Sequence, residues 1–166
     1  MSFVARSARL EDAAEIAAIY NEGIADRIAT FETEPRSGDQ VAGWFDGRHP
    51  IMVVERDGAV VAFASSSSYR GRDCYAGIAE FSVYVARRQR GNGAGRIAMV
   101  ALIDAATSAG FWKLISRIFP ENVASLALMA RMGFRVVGTY QRHGKLDGQW
   151  RDCVVVERLL GTASEF

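Results

Sequence analysis

Cysteine and histidine are both scarce in this sequence of 166 residues. The two cysteines, Cys74 and Cys153, stand far apart, and the two histidines, His49 and His143, are equally isolated. Structural metal sites in proteins need several Cys or His ligands at short spacings. We therefore expect no bound metal, and two reduced thiols of the kind found in a cytoplasmic protein.

Long apolar runs and an excess of charge of one sign are also lacking. Nowhere do about 18 apolar residues follow one another, and the first residues form no apolar leader, so we expect no contact with a membrane. The formal net charge is +1, without blocks of like charge, which argues against nucleic acid as a partner. With 49% apolar residues, the chain can form one core. We expect one domain over residues 1–161 and a tail over residues 162–166.

The hydrophobic pattern predicts elements in the order β-α-α-β-β-β-α-β-α-β-β. Apolar residues three and four apart predict helices, and alternating ones predict strands. The pairs Asp57-Gly58 and Asp147-Gly148 favour hairpin turns. The predicted strands are 3–6, 51–55, 59–66, 79–85, 113–119, 134–141 and 150–159, and the predicted helices are 10–25, 37–48, 96–109 and 122–132. We expect an α/β fold with a mixed, twisted sheet of about seven strands and about four helices on its two faces.

The glycine-rich segment 90–96 (RGNGAGR) follows a predicted strand and opens a predicted helix. Free backbone N–H groups at a helix start can bind a phosphate, and glycine lets the backbone approach it closely. Arg90 and Arg96 can add charge-assisted contacts. A P-loop would require Lys before Ser or Thr where Arg96 and Ile97 stand, and a Rossmann turn would lie in the first βα unit. A flexible turn with an ordinary helix cap is the alternative.

Several motifs resemble the GNAT acetyltransferases. Arg90-x-x-Gly93-x-Gly95 is similar to their acetyl-CoA pyrophosphate motif, and the order of elements matches their fold over essentially the whole chain. The segments that resemble the phosphinothricin N-acetyltransferase branch are 31–35 (FETEP), 79–85 (AEFSVYV), Asn122 with Ser125, 132–134 (MGF) and 150–152 (WRD). Segments 23–36 and 112–122 are most similar to its arsinothricin N-acetyltransferase members.

This resemblance implies that acetyl-CoA is the co-substrate and lies in a V-shaped opening between strands 79–85 and 113–119. Strand backbone groups would contact the pantetheine arm, and the glycine-rich turn would hold the pyrophosphate. The implied cofactor-binding residues are Val83, Tyr84, Val85, Arg90, Gly91, Asn92, Gly93, Ala94, Gly95, Arg96, Asn122 and Ser125. Asn122 also suits a helix N-cap, a role compatible with ligand binding.

Glu80 corresponds to the general base proposed for this family. Acyl transfer from a thioester to an amine requires a deprotonated amine held near the carbonyl, and a donor such as the N–H near Val83 for the oxyanion. Glu80 could instead orient the ammonium group, or be an ordinary solvated strand residue. Many members carry a tyrosine acid in the helix after the Asn, but Met129 and Met132 occupy that region here. No general acid is therefore assigned.

Loop 68–75 corresponds to the substrate-binding segment of the family. Its arginines can each bind a carboxylate or phosphinate through two parallel hydrogen bonds, although surface arginines are commonly only solvated. The implied substrate-binding residues are Phe31, Arg70, Gly71, Arg72, Tyr75, Glu80, Phe81 and Ser82. The resemblance also implies a homodimer, in which His143, Lys145 and Asp147 of the last hairpin would complete the partner's site.

The predicted function is therefore N-acetylation by direct transfer from acetyl-CoA. The substrate would be a small glutamate-like amino acid or toxin, of the phosphinothricin, arsinothricin or methionine sulfoximine type, and the result detoxification or resistance. The alternative substrates are a protein N-terminus and a polyamine, although a polyamine would call for an acidic and not a basic loop. The alternative to an enzyme is a non-catalytic acetyl-CoA-binding sensor.

Overall fold

The computed structural model describes residues 2–165, in which helices and strands follow the predicted order. The strands are β1 (Val4–Ser7), β2 (Ile51–Arg56), β3 (Ala59–Ser68), β4 (Ile78–Val85), β5 (Lys113–Ile118), β6 (Arg135–Leu146) and β7 (Gln149–Leu159). The α-helices are α1 (Ala13–Asp26), α2 (Gly38–Ala42), α3 (Ala94–Ser108) and α4 (Val123–Arg131). The predicted mixed α/β fold is confirmed.

All seven strands form one sheet in the order β1-β2-β3-β4-β5-β7-β6. Neighbours are antiparallel except β4 and β5, which run parallel. This parallel pair holds for three positions only, from Ile78 opposite Lys113 to Glu80 opposite Ile115. Beyond Glu80 the two strands are no longer paired, so the sheet opens at their carboxyl ends.

Helices cover the sheet unequally on its two faces. On one face, α3 and α4 pack over a core that includes Phe81, Leu114 and Val156. On the other, α1 and α2 cover the half formed by β1 to β4, around residues such as Ile16 and Phe63. Over β5 and β7 this second face has only a small cluster of Phe31, Phe119, Leu146 and Cys153. The uncovered area leaves space for a site beside Glu80.

The second helix is shorter than the predicted 37–48. Ser37 caps α2, and the helix ends at Ala42, before Gly43. The Asp46 carboxylate then accepts hydrogen bonds from the backbone N–H groups of Arg48 (2.8 Å) and His49 (2.7 Å). This side-chain turn replaces helical hydrogen bonds, as Asp commonly does outside helices.

The last hairpin is longer than predicted, because β6 continues past position 141 to Leu146. The pairing with β7 shifts between Tyr140 and Gly144, where β6 carries extra residues. At this bulge Arg142 has φ 49, and its N–H donates to the Asp152 carboxylate at 2.7 Å. The bulge interrupts the alternation of side chains, which is the pattern that strand prediction relies on.

Cys74 is exposed, Cys153 is buried, and both are free thiols. Within residues 2–165, no helix is both long and apolar enough to span a lipid bilayer. Over the same residues, no group of three or more His, Cys, Asp or Glu side chains is placed to bind a metal ion. Gly161–Glu165, which runs from the last residue of the predicted domain into the predicted tail, forms a short 3-10 helix.

Candidate active site

The glycine-rich turn between β4 and α3 forms a concave backbone surface. Gly91 (φ 80) and Gly93 (φ 90) adopt the left-handed conformation that glycine accommodates most easily. A Cβ at either position would meet no other atom within 4 Å, so the turn faces open space. Gly93 caps α3 without a side chain, which leaves N–H groups of the first helical turn available. This arrangement suits a bound phosphate.

A cavity of about 370 Å³ extends from this turn along β4 and α4, and we call it the cofactor cleft. It brings together all the predicted cofactor-binding residues except two. Those that border it are Val83, Tyr84, Val85, Arg90, Gly91, Gly93, Gly95, Arg96, Asn122 and Ser125. Of the other two, Asn92 is exposed beside the cleft and Ala94 is buried as the first residue of α3.

The two arginines of the turn are placed differently. The Arg90 guanidinium donates to the Asp26 carboxylate at 2.6 Å and to the Val85 carbonyl at 3.2 Å. Partial burial opposes ionisation of Asp26, but hydrogen bonds from Arg87 and Arg90 lower its pKa. Among the described residues, Arg96 forms no ion pair. Arg96 is therefore free to bind an anion, whereas Arg90 holds the turn against α1.

Asn122 has the N-cap geometry that its sequence position predicts. Its side-chain oxygen accepts a hydrogen bond from the Ser125 N–H at 3.3 Å, at the start of α4. The amide NH₂ group of Asn122 remains as a donor on the border of the cofactor cleft. Capping and ligand binding are thus compatible in this geometry.

A second cavity, of about 400 Å³, lies on the uncovered face of the sheet, and we call it the substrate basin. Glu80 and Ser82 on β4 form part of its floor, and Phe31 borders it, as predicted for substrate-binding residues. Arg117 on β5 stands beside Glu80, with Nη2 3.4 Å from the Glu80 Oε2. His143, brought in by the β6 bulge, also borders the basin of its own chain.

Of the four substrate-binding residues predicted in loop 68–75, one, Arg70, borders the site. Arg70 lines a smaller cavity of about 120 Å³ that continues the basin, together with Tyr69 and Tyr140. Its guanidinium lies 4.9 Å from the Tyr69 ring centre, a cation–π contact. The remaining predicted loop residues, which border neither the basin nor this extension, are Gly71, Arg72 and Tyr75. Tyr75 packs edge-on against Tyr69, so it supports the loop.

Two predicted aromatic residues have different roles in the basin. Phe81 borders it, but its side chain is buried and packs against Phe134, so the ring belongs to the core. Phe31 packs edge-on against Phe119, and its ring lies 2.8 Å from where a Cβ of Gly144 would stand. Gly144 therefore allows the last hairpin to approach Phe31 closely.

The substrate basin and the cofactor cleft meet where β4 and β5 diverge. A small cavity of about 40 Å³ there, the junction, is bordered by Ser82 and Arg117 from the basin and by Val83, Asn122 and Ser125 from the cleft. The basin and the cleft therefore approach one another at the junction, and Ser82, which borders it, is two residues from Glu80 on β4. Such an arrangement can hold two ligands with their reactive groups in contact.

Two of the other residues named from the sequence, Asp147 and Lys145, interact with side chains of the last hairpin or of the segment after α1. The Asp147 carboxylate binds Arg27 at 3.1 Å, and the Lys145 ammonium lies over the Trp150 ring at 4.5 Å, both within the chain. Met129 is buried in the core beside the junction.

Sequence reasoning did not single out Arg117 or Asp26. The sequence could have indicated Arg117, because it is a charged residue inside the strand segment KLISRI, on the same face as Lys113 and Ile115. Nothing in the sequence indicated a role for Asp26, since its partner Arg90 lies 64 residues away in the chain.

Comparison with known proteins agrees with this geometry. The profile of the Acetyltransferase (GNAT) family matches residues 15–134. The chain is 33% identical over 162 residues to the L-methionine sulfoximine/L-methionine sulfone acetyltransferase of Pseudomonas paraeruginosa (strain DSM 24068 / PA7), covering 95% of this chain and 94% of that protein. It is 32% identical over 157 residues to the phosphinothricin N-acetyltransferase of Streptomyces coelicolor (strain ATCC BAA-471 / A3(2) / M145), covering 90% and 92%.

Solved structures show the same fold. The GNAT superfamily phosphinothricin acetyltransferase of Sinorhizobium meliloti, crystallised in complex with acetyl-CoA, superposes with a TM-score of 0.92 at 30% identity, covering 100% of this chain and 92% of that one. The Brucella melitensis ribosomal-protein-alanine N-acetyltransferase superposes with a TM-score of 0.90 at 32% identity, covering 95% and 99%. The chain belongs to the GNAT family of acetyltransferases.

Proposed function

We propose that this acetyltransferase uses acetyl-CoA to acetylate the α-amino group of a small glutamate-like amino acid, by direct transfer. Phosphinothricin, arsinothricin and methionine sulfoximine represent the substrate class, and detoxification of such compounds is the proposed role. The observation that carries the proposal is the junction, whose lining residues are shared with the cofactor cleft and with the basin that contains Glu80. Relatives named for phosphinothricin and methionine sulfoximine support the choice of substrate.

The residues that line the cofactor cleft support acetyl-CoA as the co-substrate. Left-handed Gly91 and Gly93 leave an open backbone surface for the pyrophosphate, and Arg96 supplies an unpaired positive charge. Asn122 and β4 backbone groups near Val83 would bind the pantetheine arm. Acetyl-CoA supplies an activated thioester, and the cleft would direct that group towards the junction.

Glu80 is placed to act on the amine. The reaction forms a C–N bond between the substrate nitrogen and the acetyl carbonyl carbon and breaks the C–S bond of the thioester. Glu80 would take the proton that the ammonium group loses, directly or through one water. After attack the nitrogen would lose its second proton to solvent, and the CoA thiolate would take a proton from solvent as it leaves. The N–H of Val83, on the strand that borders both cavities, would stabilise the oxyanion.

The charges around the basin favour an acidic substrate over a polyamine. Two arginines, Arg70 and Arg117, border the basin or its extension, whereas the same lining contains one carboxylate, that of Glu80. Arginine binds carboxylate and phosphinate groups through two parallel hydrogen bonds, whereas a polyamine would place several positive charges against these guanidinium groups.

We also propose that the protein forms a homodimer, as the family resemblance implies. The last hairpin exposes a group of large apolar side chains, a composition typical of protein interfaces. They are Val136, Val137, Tyr140 and Trp150. A partner's hairpin on this surface would lie next to His143 and the basin.

A protein N-terminus is the second candidate substrate, because a structure named for ribosomal-protein alanine acetylation superposes over 95% of this chain. A thiol-release assay with acetyl-CoA separates the candidates. The panel comprises phosphinothricin, arsinothricin, methionine sulfoximine, glutamate, spermidine and a peptide with N-terminal alanine. We expect turnover confined to the glutamate-like amino acids. Turnover of the peptide or spermidine alone would reject the proposed substrate class.

A further inference from the structure

Arg117 lies beside Glu80 and borders three cavities. Glu80 pairs with Ile115 across the parallel strands, so side chains two residues apart on β5 share the face of Glu80. Arg117 therefore faces the same space, and it borders the basin, its extension and the junction. Its position is central to the uncovered face of the sheet.

The guanidinium of Arg117 has few polar partners. Among the described residues its side chain makes one hydrogen bond, to Glu80 at 3.4 Å, and it is 50% exposed. A guanidinium has five N–H donors, so most of them are available to a ligand. Arg6 differs, because it binds the two carboxylates of Asp12 and Glu55 at 2.8 Å each. Arg6 holds the fold together, whereas Arg117 has donors that no part of the described chain uses.

The pair of opposite charges formed by Glu80 and Arg117 matches the head group of an α-amino acid. In such a molecule the ammonium and carboxylate groups are attached to one carbon. They therefore lie close together, as do the charged groups of Glu80 and Arg117, which are 3.4 Å apart. An ammonium group at Glu80 would bring the carboxylate within reach of Arg117. Arg70, in the extension of the basin, lies further along and could bind the acidic end of the substrate side chain.

We propose that Arg117 binds the α-carboxylate of the amino-acid substrate and so determines specificity for α-amino acids over simple amines. This inference rests on the proposed function and deepens it. Arg117 takes the place that the sequence suggested for Arg72, which borders neither the basin nor its extension. A substrate without the carboxylate would leave the guanidinium unpaired, and a site built around such a contact rejects that substrate.

The test compares methionine sulfoximine with its α-carboxamide, which keeps the amine and the side chain. KM is measured for wild type, Arg117→Ala, Arg117→Lys and Arg9→Ala. Arg9→Ala is a control for loss of one exposed positive charge, just before the 3-10 turn Leu10–Asp12. We expect wild type to show a KM about 10- to 100-fold higher for the carboxamide. Arg117→Ala should raise KM for the acid by a similar factor and remove most of the preference, and Arg117→Lys should restore part of it. Arg9→Ala should match wild type.

Acetyl-CoA affinity and melting temperature, measured on each variant, show that the cofactor cleft and the fold are intact. If wild type prefers the acid and Arg117→Ala keeps that preference, the role of Arg117 is wrong and the proposed function stands. An equal rise of KM for acid and carboxamide in Arg117→Ala would also reject the role proposed for Arg117. If wild type turns over the carboxamide as well as the acid, the inference is wrong and the proposed function stands. If wild type turns over neither compound, the proposed substrate class is wrong and the inference fails with it.

Discussion

At the scale of single residues, Asp12 shows how one buried carboxylate stabilises the fold. It accepts two hydrogen bonds from Arg6, at 2.8 and 2.9 Å, and one from the Arg9 N–H at 2.7 Å. The hydrogen bonds from Arg6 lower the pKa of Asp12 below its ordinary 3.8, against the effect of burial. The ionised form is therefore favoured in the folded protein, and this preference contributes to stability.

We predict that Asp12→Asn lowers the free energy of unfolding by about 2 to 3 kcal/mol at pH 7. Because the folded pKa is depressed, the contribution of Asp12 is complete above about pH 5 and is lost as the pH falls through 4 towards the folded value. Urea unfolding at pH 7 and pH 3 should show a smaller difference between wild type and variant at pH 3. Asp104→Asn, at an exposed position of α3, should change stability by less than about 0.5 kcal/mol. An equal loss for Asp12→Asn at both pH values would contradict this role.

The site was partly predictable at this scale. The alternation of 79–85 predicts that Glu80 lies on the face of the sheet opposite to that of the core residue Phe81. The glycine spacing indicates a phosphate-binding turn. Arg117 was not predicted to be near Glu80, because the pair lies 37 residues apart in sequence and meets only through the parallel register of β4 and β5. Such contacts depend on sheet pairing, which local patterns do not specify.

At the scale of elements, the turn before α3 provides a direct test of the cofactor cleft. We predict that Gly93→Val weakens acetyl-CoA binding by at least about 10-fold, because its branched side chain would occupy the open space that faces the ligand and would strain the left-handed backbone. Isothermal titration calorimetry with acetyl-CoA measures this directly.

The matched control is Gly110→Val, at the other end of α3. Gly93 has φ 90 and Gly110 has φ 91, and a Cβ would meet no neighbour at either position. Both variants should therefore lose similar stability, but only Gly93→Val should lose affinity for acetyl-CoA. Equal affinities for the two variants would show that the turn does not bind the cofactor.

Elements with a regular pattern were predictable, and those with irregular hydrogen bonding were not. The strands with alternating or continuous apolar residues and the helices with three- and four-residue periodicity agree with the predictions to within a few residues. Helix α2 ends early, before Gly43, and the Asp46 carboxylate accepts the backbone N–H groups of Arg48 and His49 in the turn that follows. Strand β6 was cut short in the prediction because the bulge at Arg142 breaks its alternation.

At the scale of the whole molecule, unequal coverage of the sheet produces the site. Two helices on each face follow from the order of elements, so the fold class was predictable. That β5 and β7 remain uncovered on the Glu80 face, and that β4 and β5 separate after three paired positions, depend on packing between distant segments. The V-shaped opening was therefore expected only from the resemblance to known acetyltransferases.

The measurement that we would make first compares wild type with Glu80→Gln, using acetyl-CoA and methionine sulfoximine and quantifying the N-acetyl product by mass spectrometry. We expect wild type to form the mono-N-acetyl amino acid and Glu80→Gln to be at least about 100-fold slower at pH 7, with acetyl-CoA affinity unchanged. The difference should narrow at pH 9, where more of the amine is already deprotonated. Glu11→Gln, at an exposed position, should behave as wild type. Absence of N-acetyl product from wild type would contradict the proposed substrate, and full activity of Glu80→Gln at pH 7 would contradict acetyl transfer assisted by Glu80.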